Sequence, residues 1–200
     1  MKRKAQGKKL FSLAESYQIY YKAIRTLPYM MRGEKNGWMS PALRERLMIA
    51  VTQVNGCAMC SWYHVKMALE TGMASEEIHR MLSGELRDVP DTEITAVLFA
   101  QHYADTRGKP DQEAWDKLKA QYGRDAALAM LGAVRGIMMG NAVGIPSGSL
   151  LSRLGVKRFR IDSRSTVLYE IAILLSSVVF IPLAALHALA ARALRLRVEP

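Results

Sequence analysis

The chain contains two cysteines, three positions apart in Cys57-Ala58-Met59-Cys60. A thiol pair at that spacing can close into a disulfide with little backbone movement, and so can exchange two electrons with a substrate or a partner. His64 follows one helical turn after Cys60, where an imidazole can move a proton to or from sulfur. On a helix starting at Cys57, positions 57, 60 and 64 are i, i+3 and i+7 and share one face. Met67 and Ala68 continue that face, which predicts that it points inward. Unpaired N–H groups at the start of such a helix, together with its dipole, favour thiolate and lower a cysteine pKa. Glu45, on the preceding helix, could orient His64 or relay its proton.

Less reactive readings compete with this one. The two cysteines could be inert core residues. Cys57, Cys60 and His64 could also supply three ligands of a zinc site, but no second Cys/His pair follows at the usual spacing, so no metal is expected. His79, His102 and His187 are isolated and read as surface or core residues. Glu45, flanked by Arg44 and Arg46, would on its own read as a surface acid.

These residues require helices to hold them. Leu13, Tyr17, Tyr20, Ile24 and Leu27 recur at helical spacing, and Pro28 is expected to end that run. Gly33 to Gly37 reads as a loop. Ser40-Pro41 is a helix start, with serine as N-cap and proline at the first helical position. Leu43, Leu47, Ala50, Val51 and Val54 make one apolar face of that helix, which Asn55-Gly56 breaks before the cysteines. The cysteine helix is predicted to run to Gly72. Further helices are expected from Ser75, from Pro90-Asp91, after Gly108-Lys109-Pro110-Asp111, and on either side of Gly123 and Asp125. Gly140 to Gly148, rich in Gly, Pro and Ser, reads as a break. No strand alternation or internal repeat is present, so the fold class is all-α, an irregular helical bundle.

The last quarter of the chain differs. No residue from Ile171 to Leu186 is charged, and in residues 167–191 the only acid is Glu170 and the only basic side chain is His187. At ~1.5 Å per residue such a helix is long enough to cross a ~30 Å hydrocarbon layer, or it could be a long hydrophobic helix buried in an oligomer. The expected organisation is a basic segment and helix over 1–39, a helical redox domain over 40–150, and a basic linker with a hydrophobic helix over 151–200.

The formal net charge of +10 is concentrated at the N-terminus, at Lys157 to Arg164 and at Arg192 to Arg197. Basic clusters on the flanks of an apolar stretch suit lipid headgroups better than a nucleic acid, whose footprint is usually interleaved with aromatic and polar readers. The basic N-terminus is not followed by an apolar signal region, and two closely spaced cysteines are not a secreted disulfide framework. A reducing cytoplasm is therefore expected, with attachment to the inner membrane face through 167–191. No glycine pattern for a bound dinucleotide is present, and no cofactor is expected.

The stretch Leu43-Arg44-Glu45-Arg46 … Val54-Asn55-Gly56-Cys57-Ala58-Met59-Cys60-Ser61-Trp62-Tyr63-His64 resembles the carboxymuconolactone decarboxylase superfamily, in particular its alkylhydroperoxidase-D-like branch. The mark of that branch is a Glu, eleven residues, then Cys-x-x-Cys-x3-His, the spacing found from Glu45 to His64. Thr71-Gly72-Met73 and Phe99-Ala100-Gln101-His102-Tyr103 extend the likeness, which covers roughly residues 40–150.

The resemblance implies an all-helical domain assembling as a trimer or hexamer, and thiol-dependent reduction of a peroxide or disulfide with a partner dithiol as reductant. By family role, Cys60 attacks, Cys57 resolves, and Glu45 and His64 relay protons. One position departs from the pattern: where the branch usually has a second histidine, this chain has Met59, which carries no proton. That weighs against efficient peroxidase activity more than against dithiol–disulfide exchange. A decarboxylase-like or isomerase-like enzyme on the same fold, or a membrane-attached redox sensor without turnover, are the alternatives.

Overall fold

The computed structural model describes residues 9–198 and residue 200, and among these the regular structure is entirely helical. The helices are α1 (Leu13–Lys35), α2 (Pro41–Asn55), α3 (Ala58–Glu70), α4 (Ser75–Ser83), α5 (Asp91–Asp105), α6 (Gln112–Tyr122), α7 (Arg124–Arg153) and α8 (Val167–Ala193). Most of the N-terminal basic cluster lies outside the described residues. Its last member, Lys9, donates to the carbonyls of Ala104 and Asp105 at 2.8 and 2.9 Å.

Helix α7 is the axis of the bundle. Helices α1, α2, α3, α5, α6 and α8 all pack against it, and most of its residues are buried. Local chemistry sets several helix starts. Ser40 Oγ accepts the Leu43 N–H at 3.0 Å ahead of Pro41, and Asp111 accepts the Ala114 N–H at 2.7 Å. Gly56 closes α2 in the left-handed region, with φ 72°, where a side chain would be strained.

Two expected breaks are absent. Helix α1 continues through Pro28 to Lys35. Proline removes one helix hydrogen bond, but Pro28 is on the exposed side, where water can take the orphaned carbonyl. Contact with α7 stabilises the last turns of α1. A Cβ on Gly132 would lie 2.8 Å from the Thr26 carbonyl oxygen and 2.9 Å from Met30 Cβ, and one on Gly33 would lie 2.3 Å from Ala129 Cβ. Glycine at these points lets the two helices approach more closely than side chains would allow. Helix α7 likewise runs unbroken through Gly140–Gly148, Pro146 included. These small residues mark a surface against which α3 packs.

Both α7 and α8 are long and apolar enough to cross a membrane by length and composition, but α7 is mostly buried within the bundle. One face of α8, carrying Ile173, Ser177, Ala184, Ala188 and Ala191, is buried, and the helix packs along α1 and α7. Polar contacts tie that face down. Ser177 Oγ and Tyr20 Oη are 2.7 Å apart, and Tyr169 Oη donates to the Phe11 carbonyl at 3.0 Å. The buried Glu170 carboxylate accepts from Arg153 at 3.1 Å and from Ser165 Oγ at 2.8 Å.

Candidate active site

The α2–α3 corner brings Glu45, Cys57, Cys60 and His64 into one region. Cys57 is the N-cap of α3, just outside the helix rather than its first residue. Its sulfur accepts the Cys60 N–H at 3.3 Å, so a thiol does here what a serine oxygen does at other helix starts. Cys60, His64 and Ala68 form the buried stripe of α3. Both cysteines are reduced and buried: Cys57 is inaccessible and Cys60 is 8 % exposed. What solvent access the pair has is therefore narrow, and it belongs to Cys60.

Helix α7 lies beneath the sulfurs. A Cβ on Gly144 would stand 2.7 Å from Cys60 Sγ and 2.9 Å from Cys57 Sγ, so the pair sits on bare backbone. The Cys60 thiol can donate to the Gly140 carbonyl, with sulfur and oxygen 3.6 Å apart. Between these glycines, Asn141 is fully buried. Its amide nitrogen donates to Thr52 Oγ1 at 3.1 Å, and its carbonyl oxygen accepts from Asn55 Nδ2 at 2.9 Å.

These contacts act on the Cys60 thiol. A hydrogen bond from Cys57 is the main influence holding it below the ordinary thiol range. Burial pushes the other way, and hydrogen bonds from the Asn141 amide and the Cys60 backbone N–H add to the lowering.

Glu45 is 1 % exposed, so it is not the surface acid its arginine neighbours would imply. Its Oε2 accepts from His64 Nδ1 at 2.7 Å, and its Oε1 accepts from Arg44 Nε at 3.1 Å. A carboxylate accepts, so His64 Nδ1 is the donor of this contact and Nε2 is the ring nitrogen left for proton transfer. Arg44 in turn donates to Glu34 Oε1 at 2.9 Å. The result is a chain Glu34–Arg44–Glu45–His64 running from α1 through α2 to α3.

Asn141, Gly140, Gly144, Arg44 and Glu34 were not among the residues expected from the sequence. A signal for two of them was present: Gly140 and Gly144, together with Gly148, recur every fourth residue, which on a helix is one glycine-lined face. Nothing in the sequence pattern marks Asn141. Among the described residues, no group of three His, Cys, Asp or Glu side chains stands in a metal-holding arrangement.

A cavity of about 830 Å³ opens beside the α2–α3 corner. Thr52, Gly56, Ala58 and Ser61 line one wall, and the segment Arg160–Arg164 closes the other. The segment leading into it crosses α3, with Lys157 Nζ 4.5 Å from the Trp62 ring centre.

Residues 20–100 match the model of the carboxymuconolactone decarboxylase family. The match includes Glu45, Cys57, Cys60 and His64, but not the α7 residues beneath the sulfurs. No curated protein and no solved structure matches the chain.

Proposed function

We propose, from the match of residues 20–100 to the carboxymuconolactone decarboxylase family model, that the chain is a dithiol oxidoreductase of the alkylhydroperoxidase-D-like branch, reducing a peroxide or disulfide with Cys57 and Cys60. The observation that carries this reading is geometric: Cys60 lies beside Cys57 at a helix start, both sulfurs rest on Gly144, and His64, hydrogen-bonded to Glu45, shares the helix face of Cys60. An inert core cysteine would have no such partner, and burial alone would raise its pKa.

In the peroxide reaction the Cys60 thiolate attacks one peroxide oxygen and the O–O bond breaks. The proton lost by the Cys60 thiol passes to His64 Nε2, and the Glu45–His64 pair then returns it to the leaving alkoxide. Cys60 is left as a sulfenic acid. Cys57 attacks its sulfur, water leaves, and a disulfide forms. A partner dithiol then reduces that disulfide and is itself oxidised. With a disulfide substrate, Cys60 attacks sulfur directly, one thiolate leaves, and Cys57 completes the exchange. Met59 offers no second proton, so His64 is the one imidazole of the motif, and exchange with a disulfide is the less demanding of the two reactions. Cytoplasmic location and assembly as a trimer or hexamer belong to the same reading.

Mass measurement of the intact protein after peroxide treatment tests it. The reduced chain should lose two hydrogens, and a dithiol reductant should restore them. Cys60→Ser should abolish the change, whereas Cys57→Ser should gain one oxygen on Cys60. An unchanged mass in the wild-type chain under conditions that oxidise a free thiol would refute the reading.

A further inference from the structure

The outer face of α8 is apolar from end to end and uncovered. Leu168, Leu175, Val178, Val179, Leu186 and Leu189 are between 62 and 79 % exposed, and no residue from Ile171 to Leu186 is charged. From Leu168 to Leu189 the strip is about 32 Å long at the rise of an α-helix. Isolated exposed leucines need no explanation, but a continuous strip of this size marks an interaction surface.

The charges at its two ends select the occupant. Lys157, Arg158, Arg160 and Arg164 precede the strip, and Arg192, Arg195 and Arg197 follow it. Asp162 is the one acid within those two segments, and Arg164 holds it at 2.8 Å. Pairing α8 with α8 of a second copy sets arginine against arginine at both ends, whether the helices run parallel or antiparallel. An anionic lipid surface complements both ends at once.

A cavity of about 550 Å³ lies at the C-terminal end, between α1 and α8. Leu27, Met31 and Leu189 line it, with Arg32, Arg192 and Arg195 also in its wall. Apolar walls with guanidinium groups suit an acyl chain below a phosphate.

Crossing the bilayer is a different arrangement. It would strip α8 from α1, breaking the Tyr20–Ser177 contact and parting Tyr17 Oη from His187 Nδ1, now 3.1 Å apart. It would also carry the buried Glu170 away from Arg153.

We propose that the outer face of α8 docks on an anionic lipid bilayer, with α8 in the plane of the headgroup layer and still packed on α1, and with the arginine-lined cavity taking one anionic lipid. This inference does not depend on the dithiol reading.

The test is flotation of the full chain with phosphatidylcholine vesicles, with and without phosphatidylglycerol. The protein should float with the anionic vesicles, remain behind with the neutral ones, and be released by high salt. Arg192→Glu with Arg195→Glu should lower the bound-to-free ratio by at least about 30-fold, since each basic residue near such a surface contributes about fivefold. Leu175→Glu with Leu186→Glu, both on the exposed face, should abolish flotation while leaving helix content and thiol titration unchanged.

Three results overturn the proposal. One is failure to float with either vesicle. Another is a soluble oligomer that the Leu175→Glu/Leu186→Glu variant converts to monomer, which assigns the face to a second copy. The third is retention in membranes through alkaline carbonate extraction, which means that α8 spans.

Discussion

Gly144→Ala tests whether the floor beneath the sulfurs matters. The added Cβ would sit 2.7 Å from Cys60 Sγ and 2.9 Å from Cys57 Sγ, closer than packed atoms are found. Neither sulfur can yield easily, because Cys57 caps α3 and Cys60 lies within its first turn. Relieving the overlap means moving α3 off α7 or rotating a thiol out of its hydrogen bond.

Overpacking of this kind costs about 1–3 kcal/mol, while replacing a helical glycine by alanine returns about 1 kcal/mol. Gly136→Ala isolates the second effect. It lies on the same helix, and its Cβ would meet nothing within 4 Å. The two variants should therefore differ by about 1–3 kcal/mol, or roughly 2–12 °C in Tm for a chain of this size. Gly136→Ala should be the more stable. If Gly144→Ala breaks the Cys57–Cys60 hydrogen bond, the pH midpoint of Cys60 alkylation should also rise. Calorimetry on both variants, with iodoacetamide rates measured across pH, reads the two effects. Equal Tm values and an unmoved alkylation midpoint would show that the sulfurs do not rest on Gly144.

Four further expectations follow from the same contacts. Cys57→Ala removes the donor that does most to lower the Cys60 pKa, so Cys60 alkylation should shift toward the ordinary thiol range. Because the folded value is depressed, the Cys60 thiolate contributes stability above the unfolded thiol pKa and loses it as pH falls through the folded one. The stability lost in Cys60→Ser should accordingly be greater at alkaline than at neutral pH in paired denaturant titrations. Asn141→Ala strips buried partners from Thr52 and Asn55. It should cost about 1–3 kcal/mol in urea unfolding and raise the Cys60 titration. Glu45→Gln keeps an acceptor beside His64 but removes its charge, and turnover should fall by about 10²-fold, the lower end of general acid–base contributions. Unchanged turnover would remove Glu45 from the proton path.

What the sequence disclosed depended on how local the governing physics was. The break at Asn55-Gly56 was legible because a helix-ending glycine, here at φ 72°, is a short-range feature, whereas Cys57 read as the first residue of α3 and is its N-cap. Ser40-Pro41 and Asp111 were legible for the same reason. Glu45 was legible only through its spacing to the cysteines, because local charge pattern placed it at the surface, whereas its carboxylate is enclosed by Arg44 and His64.

Pro28 and Gly140–Gly148 were misread because local rules assign glycine and proline their intrinsic cost and not their use. Packing reverses the sign. At Gly33 and Gly132 the missing side chain lets α1 lie against α7, and at Gly144 it leaves room for two sulfurs. The apparent break before the C-terminal segment is thus the surface that receives the dithiol. Asn141 remained hidden within it, since a single asparagine between glycines reads as a turn until the helix on which it faces Thr52, Asn55 and Cys60 is known. The same logic holds for α8. Its composition shows no polar stripe, yet Glu170 and Ser177 face inward to Arg153 and Tyr20. Those two contacts make α8 a one-sided helix packed on the bundle, with an apolar outer face.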